Sequence, residues 1–218
     1  MGAITRGFAN NITTSGVLGP GAFNNSSFNN VTSVASGAVD SGAMQFISKS
    51  TASTSANISF SFSGSYKEYL FFYTDIHPAT DNAQFMINFS TDSGSNYDVA
   101  KTNTIFLSQH GEGTESSVGL FYKTTLDLEN STGNCMINVD SGNDNDQTTS
   151  GYLHVFAPHD TTFVKQFIST NNYSQSGNYS IHSHVAGYAN TTSALTNIRF
   201  IMNTGNIDSG QISMYGIT

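Results

Sequence analysis

Ile198-Arg-Phe-Ile-Met-Asn-Thr-Gly-Asn-Ile-Asp-Ser-Gly-Gln-Ile-Ser-Met-Tyr-Gly-Ile217 is the stretch whose pattern decides the fold class. Ile198, Phe200 and Met202 alternate with Arg199 and Asn203, and Ile212, Met214 and Gly216 alternate with Gln211, Ser213 and Tyr215. A period of two is that of a strand with one buried face. Asn203 to Gly210 carries turn chemistry, so the stretch reads as a β-hairpin whose second strand is held in a sheet instead of fraying.

Working outward, the same signal recurs. Met44–Ile47, Ile58-x-Phe60-x-Phe62, Phe85–Phe89, Thr104–Leu107, Val118–Tyr122, Cys135–Val139, Gly151–Ala157, Phe163–Ile168 and Ile181–Tyr188 all read as strands. Tyr69 to Tyr73 is a continuous apolar run, the pattern of a strand buried on both faces. Glycine-rich or Asp/Asn-rich loops separate them, as at His110-Gly-Glu-Gly-Thr114 and Asp140 to Thr149. About ten strands with no amphipathic helix give an all-β chain, an antiparallel β-sandwich or jelly roll.

Composition agrees. The chain has 218 residues, of which 10% are charged and 12% aromatic, without tryptophan. That length suits one main domain. Its formal charge of -8 and pI of about 4.9 argue against nucleic acid as a partner, because phosphate backbones are neutralised by clustered Lys and Arg, and the seven basic residues here are scattered. No apolar run reaches the roughly 18 residues of a membrane span, and Met1-Gly-Ala-Ile-Thr-Arg6 lacks the apolar core of a leader. Arg6 occupies the place where myristoylation of Gly2 wants Ser or Thr. Cys135 is the only cysteine, so no intrachain disulfide is expected.

Residues 1–43 differ in texture from 44–218, the expected sandwich. Phe8-Ala-Asn-Asn, Phe23-Asn-Asn and Phe28-Asn-Asn repeat a motif around Gly-Pro-Gly. Such spacing cannot build a core, and it fits an extended N-terminal arm that anchors on a partner through Phe8, Ile12, Val17, Leu18, Phe23, Phe28 and Val31.

Gly205-Asn206-Ile207-Asp208-Ser209-Gly210, followed by Ile212-x-Met214-Tyr215-Gly216-Ile217, resembles the C-terminal signature of small β-sandwich proteins of tailed bacteriophages, marine and cyanobacterial ones especially. Met214 stands where that signature has Leu. Tyr66-x-x-Tyr69-Leu-Phe-Phe72, His77-Pro-Ala-Thr-Asp81 and Phe89-Ser-Thr-Asp-Ser-Gly-Ser-Asn-Tyr-Asp98 are similar to the same family, and the resemblance runs from about Phe46 to the end. It implies a virion component and no enzyme.

Candidate chemistry is sparse. His182 and His184 share one strand face, but a metal needs more than two ligands, so a site there requires neighbouring copies. Asp140, Asp144 and Asp146 offer oxygens for calcium, with Asn143 and Asn145 as accessories, yet the loop lacks the glycine and terminal Glu of an EF-hand. Glu112 and Glu115 invite a glycosidase reading, since that chemistry uses two carboxylates, but separation along a loop says nothing about separation across a substrate, and no Gly-x-Ser-x-Gly elbow occurs.

The expectation is therefore a non-enzymatic particle protein with no catalytic residue, cofactor or metal. It would sit on the virion surface as a capsid decoration or cement protein, bound to other virion proteins such as the major capsid protein, as a homo-oligomer with a trimer preferred. The alternative is a tail-fibre or spike module that recognises host-surface carbohydrate.

Overall fold

The computed structural model describes residues 43–64, 66–113 and 118–218. The expected anchors Phe8, Ile12, Leu18, Phe23, Phe28 and Val31 lie outside these residues.

Twelve strands make up the described chain: β1 (Met44–Thr51), β2 (Ile58–Ser61), β3 (Glu68–Pro78), β4 (Phe85–Ser90), β5 (Lys101–Gly111), β6 (Gly119–Tyr122), β7 (Cys135–Met136), β8 (Thr149–Phe156), β9 (Lys165–Gln175), β10 (Tyr179–Ala189), β11 (Asn197–Met202) and β12 (Ile207–Ile217). Among the described residues the only other regular element is a 3-10 turn at Thr124–Leu126. Pairing is antiparallel throughout, in an eight-stranded sheet of order β1-β12-β3-β8-β9-β10-β5-β6 and a four-stranded sheet of order β2-β11-β4-β7. The run β1-β12-β3-β8 against β2-β11-β4-β7 is the double Greek key of a jelly roll. Two insertions, β5-β6 and β9-β10, extend the larger sheet beyond β8 as a wing.

Alternation builds the core. Ile58 and Phe60 of β2, Tyr69, Phe71 and Tyr73 of β3, Phe85, Ile87 and Phe89 of β4, Ile198, Phe200 and Met202 of β11, and Ile212 and Met214 of β12 all point between the sheets. Phe200 is central: its ring stacks on Phe85 at 5.7 Å and 22° and meets Phe71 at 5.5 Å and Phe60 at 6.2 Å. Each buried Phe contributes about 1.5–3 kcal/mol of transfer free energy.

The 198–217 stretch is two strands but not a hairpin. β11 pairs with β2 and β4 in the small sheet, while β12 pairs with β1 and β3 in the large one. Asn203 to Asn206 therefore arches from one sheet to the other. Asn203 fastens the arch, its N–H donating to Gln84 O at 3.0 Å and its Oδ1 accepting from Gln84 N at 2.8 Å. Gly205 sits at φ +67, where a Cβ would lie 2.3 Å from Thr80 Oγ1. β12 also begins at Ile207, so Ile207–Gly210 is strand and not turn. Alternation with a polar turn suits a hairpin and an arch equally, which is why the sequence alone points to the commoner one.

A second correction concerns β3. Up to a register shift after Tyr73, Leu70 and Phe72 turn outward, and Phe72 is 37% exposed, so the 69–73 run is buried on one face only. Strand 135–139 shortens to Cys135–Met136, because Ile137, Asn138 and Val139 leave the ladder to cover the wing.

The wing is roofed differently from the jelly roll. Its inward side chains include Ser169 and Asn171 of β9, Ser183 of β10 and Lys101 and Asn103 of β5, all buried. Asn103, Asn171 and Ser183 meet irregular segments whose backbone needs partners. Asn171 Nδ2 donates to Ile137 O at 2.6 Å, Ser183 Oγ donates to the same oxygen at 2.9 Å, and Val139 N donates to Tyr173 Oη at 3.0 Å. Polar inward residues here satisfy the groups that a strand layer would have satisfied itself.

Candidate functional site

Residues opposite one another in a ladder share a face, so the registers fix what the outer face of the large sheet carries. One row across it is Phe46, Tyr215, Leu70, His154, Ile168, Ala186 and Thr104. The adjoining row is Ser213, Phe72, Tyr152, Thr170, His184, Phe106 and Tyr122. Together they form an aromatic band crossing the sheet from β1 to β6. Ring contacts link it: Phe46 to Tyr215 at 5.5 Å, Tyr215 to Phe72 at 5.7 Å and Phe72 to Tyr152 at 6.4 Å. At the wing end, His184 stacks on Phe106 at 5.1 Å and 20°.

His182 and His184 meet in this band, Nε2 to Nε2 at 2.9 Å, and His184 Nδ1 lies 3.1 Å from Thr170 Oγ1. Both contacts are satisfied when His184 carries its proton on Nδ1 and donates to Thr170 while His182 Nε2–H donates to His184 Nε2. Burial, and then the neighbouring His182, holds the His184 imidazole below its ordinary pKa and favours this neutral arrangement. The sharing of one face expected for the pair is as the strand places it. Two imidazole nitrogens are still short of a metal's ligand set.

At the β3–β8 end the face runs into a cleft of ≈ 540 Å³ lined by Gly64, Tyr66, Lys67, Glu68, Phe156, Ala157, His159 and Asp160. Glu68 pairs with His154 at 2.7 Å, and His159 Nε2 accepts the Gly64 N–H at 2.7 Å. Burial lowers the His159 pKa, consistent with an unprotonated acceptor nitrogen. The Asp160 carboxylate accepts from the N–H groups of Thr162 and Phe163, both at 2.6 Å, which lowers its pKa and ties it to its own turn.

The remaining candidates stay apart. Among the described residues no three His, Cys, Asp or Glu side chains are grouped so as to hold a metal ion. Asp140 lies in a left-handed turn at φ +56, and the Asp144 backbone closes on Gln147, whose N–H donates to Asp144 O at 2.8 Å. Glu112 lies just past β5, its N–H donating to Asn178 O at 3.0 Å, whereas Glu115 is outside the described residues. Cys135 is fully buried, and burial pushes its thiol up to about 12, the state of an inert core sulfhydryl.

Phe72, Phe106, Tyr122, Tyr152 and Ile168 were not singled out from the sequence. The available signal was apolar residues on both parities of one strand, as in Tyr69–Tyr73, which reads as two-sided burial unless the second face is uncovered. No known protein family, curated protein or solved structure matches this chain.

Proposed function

We propose that this chain is a non-enzymatic structural protein of a tailed-phage particle, a decoration or cement protein that works by burying surface against other virion proteins and copies of itself. The observation that carries the reading is the aromatic band: a jelly-roll face with large apolar side chains aimed outward is built for adhesion. The phage-like text at Gly205–Ile217 supports it, since it forms β12 and holds Tyr215 in that band. Residues 1–43 supply the second contact, with Phe8, Phe23 and Phe28 as anchors. Immunogold labelling of purified particles with antibody to the sandwich tests this, with regular labelling of capsids expected. Removal of residues 1–37 should leave the far-ultraviolet β signature unchanged and abolish incorporation. Unlabelled particles would reject the reading.

Recognition of host-surface carbohydrate is the second reading, favoured by the cleft where Tyr66 and Phe156 stand beside Lys67 and Glu68. Aromatic walls with a few polar groups suit neutral sugars. A glycan array decides it: selective, saturable binding lost in Phe156→Ala places the chain among receptor-binding modules.

A further inference from the structure

We infer that the outer face of the eight-stranded sheet is a self-association surface, and that its occupant is a second copy of this chain. Two features of the face select that occupant. The first is charge. The outward residues of β8, β9, β10, β5 and β6 include no Asp, Glu, Lys or Arg, although the chain carries 15 acidic and 7 basic residues and a net charge of -8. Two copies of an acidic protein repel wherever their carboxylates face one another, and these five strands put no carboxylate in the way of a second copy. A basic partner would find no complementary charge on those strands, and Glu68 of the neighbouring β3 is already paired with His154 at 2.7 Å.

The second feature is area. Eight of the large apolar side chains that stand exposed lie on this face, from Phe72 at 37% to Leu120 at 71%. At roughly 200 Å² per large side chain, about half of it exposed on average, they present on the order of 800 Å² of largely apolar surface, against roughly 300–600 Å² for the largest patch of a typical monomer. It equals the approximately 800 Å² that each partner contributes to a standard specific interface. A face that pairs with itself gives an isologous contact, closed after two copies. At the edges, β6 has only four residues and β1 carries a bulge between Phe46 and Ser48 together with Lys49, which disfavours open-ended strand addition and leaves the face as the contact.

The inference deepens the assembly reading and rests on it only in treating the face as adhesive. Particle labelling tests the particle and solution mass tests the face, so the two fail separately. The experiment is light scattering behind size exclusion on the full chain across a concentration series, for the wild type, for Thr104→Glu with Ser108→Glu, and for Leu120→Ser. The three substituted residues are exposed outward strand positions, so circular dichroism should be unchanged. The wild type is expected at the mass of two chains. The double variant should weaken association at least tenfold, because like charges then face each other, and Leu120→Ser severalfold. A wild-type monomer at its solubility limit overturns the inference, as does a dimer that both folded variants leave intact. A monomer that binds neutral oligosaccharide and loses it in the double variant overturns it in favour of a sugar platform.

Discussion

The two halves of the large sheet are covered differently, one by apolar side chains and the other by apolar and polar ones together. β1, β12, β3 and β8 face the small sheet across an aromatic layer in which Phe200 touches three other rings. β9, β10 and β5 face irregular segments across Asn171, Ser183, Tyr173 and Asn103. A second strand layer satisfies its own backbone, so the side chains between the layers can be apolar. An irregular roof leaves carbonyls and amides open, and the strands beneath it must supply polar partners. Cohesion in the jelly roll is therefore spread over area, whereas in the wing hydrogen bonds to the roof add to the burial of Ile105, Leu107, Phe167, Ile181 and Val185.

The largest effect should come from the aromatic layer. Phe200→Ala is expected to cost about 3–5 kcal/mol in denaturant unfolding and to loosen both sheets together. An exchange experiment showing only the wing released would break the contrast. Asn171→Ala should cost less, about 1–3 kcal/mol, because it strips Ile137 O and Tyr73 Oη of a donor and Ser183 Oγ of an acceptor. Its signature is local: amide exchange around residues 137–139 should rise before that of β3 or β12. Uniform acceleration would mean that the wing roof is held by packing after all.

Lys101→Met should be the smallest. Lys101 Nζ donates to Asn88 Oδ1 and Val99 O, both at 2.6 Å, and burial lowers its pKa to about 8. At pH 7 the variant is expected within about 1 kcal/mol of wild type, since relief of a buried charge offsets the lost bonds. The pH dependence carries the sign. Lys101 loses its proton near pH 8 in the folded chain and above pH 10 when unfolded, so in this window the unfolded state holds more protons and wild-type stability rises with pH. The variant, with no amine at this position, cannot follow it, and the difference should move toward wild type between pH 7 and 9. Burial pushes the Cys135 thiol up to about 12, and loss of the Lys101 charge would push it higher still, so the folded thiol stays protonated across this window in both proteins. A flat difference would mean that Lys101 is solvated in the folded chain.

What was legible in the sequence follows the same division. Ile58-x-Phe60, Phe85–Phe89 and Ile198–Met202 announced the sandwich because their inward residues are apolar, and the hydrophobic period is a record of burial in apolar surroundings. β9 and β10 broke that rule: Asn171 and Ser183 point in while Ile168 points out, so polarity no longer marks the face. The pairing of 197–202 and 207–217 was illegible for another reason, since partner strands are chosen by contacts distant in sequence. Of the candidate surface, the histidine pair could be read from its spacing. The band around it could not, because it emerges only when six other strands bring Phe46, Phe72, Tyr152 and Phe106 into adjoining rows.

Hydroxyl-radical footprinting of the full chain tests most directly that this band is where the protein does its work. The measurement compares oxidation of Phe72, Phe106, Tyr122 and Tyr152 at low-micromolar and roughly a hundredfold higher concentration, with exposed Phe163, in the turn before β9 and outside the paired rows, as the internal reference. Oxidation of the four band residues should fall severalfold at the higher concentration while that of Phe163 holds. Equal rates at both concentrations for all five residues would contradict the account.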